Sequence, residues 1–264
     1  MTRRGRVTLI AGLICLIALA SASAGASEVA QPPVALVTSP AHVDLAGSGR
    51  AIVRVTNSGT RRAVLDVRRA GFALDLRGRP RIVGPRSVRR SAAGWLVFRP
   101  RRLVLGAGAS GSVTIDSRVP ARAEPGDHDA LVLFTTRRRA ADGLAVRVRM
   151  GVVVVVRAPG TVVRRVRVLG LRRVGKTSRG RALELVLGNR GNVTETLARG
   201  RVTVAIERSG RRLARLAGEP RSLRPGTHGV LRFPLRRRLA GSVLARVELV
   251  TDAARIQRVF RLRL

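Results

Sequence analysis

Four residues able to act as acid, base or metal ligand crowd into "RAEPGDHDALVLF", Arg122 to Phe134: Glu124, Asp127, His128 and Asp129. Carboxylates flanking an imidazole can relay protons, and mixed oxygen and nitrogen donors can hold a divalent cation. The other two histidines, His42 and His228, are scattered, and no His-x-x-x-His pair on a helix supports a metal centre. Pro125-Gly126 is a turn signal, and Ala130 to Phe134 is a short apolar run. The stretch therefore reads as a turn with Asp127 to Asp129 as its polar exit, its acidity relieving a positive surround.

Two other motifs look chemical. "GAGASG", Gly106 to Gly111, has dinucleotide-binding spacing, and "GLRRVGKT", Gly170 to Thr177, has phosphate-loop spacing around the sole lysine, Lys176. Both chemistries need a helix next, because its N-terminal amides cradle the phosphate. "SVTIDSRV" follows the first and "SRGRALELVLGN" the second, and both alternate as strands do. His128 and His228 each follow a Pro-Gly pair by two residues and read as turn residues. Ser110 lacks the Gly-x-Ser-x-Gly frame of a hydrolase nucleophile. The expectation is no catalytic residue, no cofactor and no metal.

The elements around these motifs alternate with period two. "FALDLRG" places Phe72, Leu74 and Leu76 on one face, "SVTIDSRV" places Val113 and Ile115, and "LAVRVRM", "RVTVAIE", "RALELVL" and "RVFRLRL" repeat the pattern. Turn signals separate them at Asn57, Arg77, Pro125, Asn189, Arg208 and Arg224. Short strands at this spacing, without an amphipathic helix of three turns, predict antiparallel β-sandwiches. The sequence also repeats. "VRVTNSGT" (Val53 to Thr60) matches "LVLGNRGN" (Leu185 to Asn192), "LVLGAGASGSVTI" (from Leu103) matches "SLRPGTHGVLRF" (from Ser222), and "PGDHDALVLFTT" matches "LAGSVLARVELVT". Two tandem immunoglobulin-like sandwiches of ~100 residues each follow, over 30–157 and 162–264, with a linker at 158–161.

Residues 1–26 are arranged as a secretory signal peptide: Arg3, Arg4 and Arg6, then an apolar run from Val7 to Ala20, then Ala-x-Ala sites. An uncleaved anchor is the alternative for this segment. Cleavage would remove Cys15, the only cysteine, and with it disulfides, thiol nucleophiles and thiolate metal sites. Formal net charge is +37, so the surface attracts polyanions. Nearly all of that positive charge is arginine, a usage that a GC-rich genome also produces. No like-charge block exceeds three residues, the longest being Arg137 to Arg139 and Arg236 to Arg238. One tryptophan, five phenylalanines and no tyrosine exclude the aromatic platforms that single-stranded nucleic acid or glycan clefts use, so no specific nucleic acid partner is expected.

"GWLVFRPRRLVLGAGASGSVTIDSRVPARAEPGDHDALVLF", Gly94 to Phe134, resembles the N-terminal immunoglobulin-like domain of bacterial WxL-interacting surface proteins, a domain similar to pilus-chaperone-like ones. The matching positions are Trp95, Pro100, Leu105, Val119, Pro120, Pro125 and Gly126, which are fold determinants, so no binding residue is carried over. The resemblance implies a signal peptide, then this domain, associated with peptidoglycan, then a second immunoglobulin-like domain associated with a protein partner. Family members usually end in a membrane helix and basic tail, where this sequence reads "RLRL".

The leading expectation is a secreted, non-catalytic envelope binding or adaptor protein. Its partners would be anionic cell-wall polymer or peptidoglycan and a surface protein, with the membrane touched only through the N-terminal segment or surface charge. The alternative is a pilus-chaperone-like partner pairing strands with a secreted subunit, with "GVVVVVR", Gly151 to Arg157, as a candidate edge or a doubly buried strand. An envelope hydrolase is the weaker alternative.

Overall fold

The computed structural model describes residues 32–84, 89–137, 147–177, 180–235 and 239–264. The expected signal segment, Cys15 and all but Arg137 of the two arginine triplets lie outside them. "LAVRVRM" is described only from Arg147 onward.

Alternation makes the strands, and each strand buries the aliphatic half of its pattern. In β3 (Arg50–Asn57), Val53 and Val55 are buried while Ile52 faces out. In β8 (Ser110–Ser117), Val113 and Ile115 are buried. With β1 (Leu36–Ser39) and β6 (Leu96–Arg99) these form a sheet ordered β1-β3-β8-β6. The facing sheet runs β2 (His42–Ala46), β10 (Arg149–Ala158), β9 (Gly126–Thr136), β4 (Ala63–Leu74), β5 (Pro80–Val83), with β7 (Arg102–Leu105) also on β4. Val53, Leu65, Ile115, Val132, Phe134, Val152 and Val154 fill the space between the two sheets. Each such side chain stabilises the fold by about 1.5–3 kcal/mol through burial.

A second core lies between the β11-β12-β17 sheet and the β15-β14-β18-β19 sheet. The first of these contains β11 (Val166–Thr177), β12 (Gly180–Asn189) and β17 (His228–Pro234). The second contains β14 (Val202–Arg208), β15 (Arg211–Ala217), β18 (Ser242–Val250) and β19 (Arg255–Arg263). A short pair, β13 (Glu195–Leu197) with β16 (Arg221–Leu223), closes one end. Leu183, Leu185 and Leu187 alternate inward as expected. Among the described residues the only helical piece is the single 3-10 turn Ala93–Trp95, so the all-β, immunoglobulin-like sandwich class holds.

Four expectations change. One pairing is parallel: β2 lies beside β10 from His42↔Val153 to Ala46↔Arg157. Leu76 does not continue the β4 face. Asp75 Oδ1 accepts the Arg77 and Arg79 amides at 2.8 Å, which ends the strand in a turn and leaves Leu76 exposed. Phe72 and Leu74 then pack in a separate small cluster with Ala70, Leu131 and Leu133, on the outer face of the sheet. His128 and His228 sit in β9 and β17, not in turns, because each strand begins at or within two residues of its Pro-Gly pair. The glycine decoys are as the following strands dictate: Gly106 to Ala109 turn between β7 and β8, and Gly170 to Thr177 lies within β11.

Candidate functional site

The acidic cluster does not converge. Strand β9 begins at Gly126, so Asp127 and Asp129 point to one face of the sheet and His128 to the other. All three are buried within β9, where the sequence led to a polar turn exit. Glu124 stands apart, its carboxylate 3.1 Å from Arg90 and 3.5 Å from Arg89.

His128 enters the first core. Its Nε2 lies 2.8 Å from the Glu124 carbonyl and its ring centroid 4.3 Å from that of Trp95. Burial pushes its pKa down, only partly opposed by the hydrogen bond to Glu124. A buried histidine whose ring lies tilted at 44° against an indole is a packing residue here.

Asp127 and Asp129 instead join the two halves of the protein. Asp127 Oδ1 accepts Arg157 Nε at 2.7 Å, and its Oδ2 accepts Arg157 Nη2 at 3.2 Å and the Thr194 amide at 2.7 Å. The Asp127 amide donates to the Asn192 carbonyl at 2.8 Å. Desolvation raises its pKa, yet the Arg157 and Thr194 hydrogen bonds outweigh it and hold the carboxyl below the usual range. Asp129 pairs with Arg224, whose guanidinium carbon lies 4.2 Å over the Phe72 ring. For Asp129 burial wins, and its pKa is raised despite Arg224. Gly126, at φ +103°, brings its Cα so close to Asn192 that an added Cβ would lie 2.0 Å from the Asn192 carbonyl oxygen. Further along the joint, the Leu76 carbonyl accepts the Val230 amide at 2.8 Å and Arg221 Nη2 at 2.9 Å.

At the opposite end of the same two strands lies the feature with binding capacity. Strand β10 is paired with β9 along its whole length, but β2 pairs only from Val153 onward. The "GVVVVVR" run is thus interior over its second half, and its first half belongs to a sheet edge. The direction of the backbone groups follows from one bond: Thr136 N donates to Val148 O at 3.0 Å, so Val148 faces β9. Antiparallel pairing alternates, so Met150 and Val152 also face β9 while Arg149, Gly151 and Val153 face away. Val153 N accordingly donates to Ala41 O at 3.1 Å. Among the described residues no strand takes up the outward N–H and C=O groups of Arg149 and Gly151.

The cause lies in "TSPAH". Pro40 cannot donate to a ladder, and the chain there leaves one sheet for the other: β1 pairs with β3, and only after Pro40 does β2 run beside β10. β1 is the terminal strand of its sheet and adjoins β10, so the two sheets end side by side at this point. Val34, Val148 and Met150 are partly buried there against the main core. Sequence reasoning named the valine run but missed the open half, for which Pro40 was the available signal.

Among the described residues no group of three His, Cys, Asp or Glu side chains could hold a metal ion, and no helix is long and apolar enough to cross a membrane. No model of a known family matches the chain, and no curated protein matches its sequence. Several solved structures are similar to it over most of its length. One is described as a chaperone-tip adhesin complex vital for synergistic activation of CFA/I fimbriae biogenesis (13% identity, 85% of this chain and 98% of that one, TM-score 0.49). A second is the class 5 fimbriae chaperone CfaA (13% identity, 87% and 100%, TM-score 0.48). A third is the Salmonella enterica SafA pilin in complex with the SafB chaperone (13% identity, 87% and 96%, TM-score 0.45). The WxL-interacting family is not shown by these comparisons; the all-β architecture is read from the strands of the chain itself.

Proposed function

We propose that this protein is a non-catalytic, chaperone-like partner that pairs strands with an extracytoplasmic protein subunit. The observation that carries this is the half-open β10, whose Arg149 and Gly151 backbone groups face outward beside partly buried apolar side chains. An incoming extended segment would extend the sheet by main-chain hydrogen bonds, and its alternate side chains would cover Val148 and Met150. Binding of anionic wall polymer rests on net charge alone, whereas the edge is a defined hydrogen-bonding surface, so strand pairing is the better-supported reading.

Gly151→Pro tests it. The outward N–H disappears, while the β9 ladder, which does not use that N–H, is kept. Affinity-tagged full chain incubated with the envelope extract of its source cells should retain one secreted protein, and the Gly151→Pro chain should lose it at unchanged melting temperature. Equal retention by both chains would reject the edge as the docking surface.

A further inference from the structure

The outer face of the β15-β14-β18-β19 sheet gathers arginines from three of its four strands. Alternation in β18 sends Val243, Ala245, Val247 and Leu249 into the core, so the residues between them and their cross-strand partners form one outward plane. That plane carries six exposed arginines, Arg212, Arg215, Arg246, Arg255, Arg261 and Arg263, against two glutamates. Glu207 lies 3.5 Å from Arg246 and Glu248 lies 3.4 Å from Arg255. The other four arginines have no acidic partner among the described residues. The outer plane of the first sandwich's β1-β3-β8-β6 sheet carries half as many arginines, Arg50, Arg54 and Arg99, and Arg50 is paired there with Asp116 at 2.6 Å.

Two aliphatic side chains stand within the arginines. Leu244 is 40% exposed opposite Arg261, and Val259 is 51% exposed opposite Arg246, which makes them diagonal neighbours on adjacent strands. Four strands give the plane a width of about 14 Å and a length near 30 Å at ordinary sheet spacings. A linear polyanion would engage one row of such an array. A two-dimensional grid of guanidinium groups around an apolar centre instead matches a surface of phosphodiesters over hydrocarbon. Guanidinium groups bind phosphate oxygens bidentately, and small aliphatic side chains can enter the headgroup boundary.

We propose that this face docks on an anionic lipid bilayer, with Arg215, Arg246, Arg261 and Arg263 on headgroup phosphates and Leu244 and Val259 directed into the interface. The surface is separate from the β10 edge, so either can hold without the other.

The test is flotation of the full chain with vesicles of phosphatidylglycerol and phosphatidylcholine; pure phosphatidylcholine vesicles set the charge-independent retention. One variant carries Arg215, Arg246, Arg261 and Arg263→Gln. A control of equal charge carries Arg54, Arg62, Arg81 and Arg99→Gln, all exposed on the first sandwich. Both substitute surface residues, and matching thermal melts establish that both are folded. The face variant should lose about tenfold or more of its anionic-vesicle partitioning, in line with the attraction that each basic residue feels near such a surface. The control should lose less than about threefold. Equal losses in the two variants would overturn the proposal, since net charge alone would then account for binding. Retention on soluble polyphosphate through the same four arginines, without retention on anionic vesicles, would overturn it in favour of a linear polyanion.

Discussion

Asp127 and Asp129 are two residues apart on the same strand face, yet their surroundings set them in opposite senses. Asp127 meets Arg157 and the Thr194 amide, and its folded pKa is lowered. It therefore contributes stability that is present above the unfolded aspartate value of about 3.9 and is lost as pH falls through the lowered folded value. Asp129 is dominated by burial, and its folded pKa is raised. Between about 3.9 and that raised value the folded chain holds the extra proton, so this residue adds stability as pH falls through the window. Urea unfolding measured across acid pH should show Asp129→Asn removing the gain at mildly acid pH and Asp127→Asn removing the loss at lower pH. At neutral pH Asp127→Ala should cost about 1.5–3 kcal/mol, the usual worth of hydrogen bonds to a charged group. A variant with unchanged stability would mean that the joint does not depend on this carboxylate. The composition of the cluster was legible in the sequence, but its role was not. The partners Arg157, Thr194 and Arg224 are supplied by other strands and by the far half of the chain, and local spacing says nothing of them.

At the scale of elements, the repeat was the most informative sequence signal, and the structure gives it a mechanism. Asn57 at the end of β3 and Asn189 at the end of β12 are both buried. Asn57 Nδ2 donates to Arg61 O at 2.7 Å and Gly106 O at 2.9 Å, and its Oδ1 accepts Gly59 N at 3.2 Å. Asn189 Nδ2 donates to Val193 O and Leu223 O, and its Oδ1 accepts Gly191 N at 2.8 Å. Each asparagine ties the turn after its own strand to a distant segment, Asn57 to the loop that precedes β8 and Asn189 to the end of β16. Replacing either by Ala would strand several buried backbone groups, each worth about 1–3 kcal/mol. Asn57→Ala and Asn189→Ala should therefore each lower the unfolding free energy by at least about 2 kcal/mol, measured by denaturant titration. A loss well below that in one variant would show that its half of the repeat is only a sequence coincidence. Strands such as β8 and β12 were legible because one face is buried and the other wet. The end of β4 was not, because the Asp75 turn competes with the alternation of Phe72, Leu74 and Leu76, and a side-chain hydrogen bond to two amides prevails over strand continuation.

Across the whole molecule, charge and edge lead to different partners. The arginine excess was evident from composition, but its concentration on the β18 and β19 face depends on which strands pair, which composition does not encode. The open half of β10 likewise arises from a relation between distant segments: Pro40 redirects the chain, and β2 then covers β10 only from Val153. The joint at Asp127 and Asp129 lies at the other end of the same two strands, since Arg157 and Ala158 of β10 face Asp127 and Gly126 of β9. One strand thus offers its first half for pairing while its last residues are held to the second sandwich. The most direct measurement is amide hydrogen exchange of the full chain, alone and in complex with the secreted protein that it retains. Arg149 and Gly151 should exchange fast when the chain is alone and become protected in the complex, while Met150 and Val152, already bonded to β9, change little. Protection confined to other strands, with Arg149 and Gly151 still exchanging fast in the complex, would contradict strand pairing at β10.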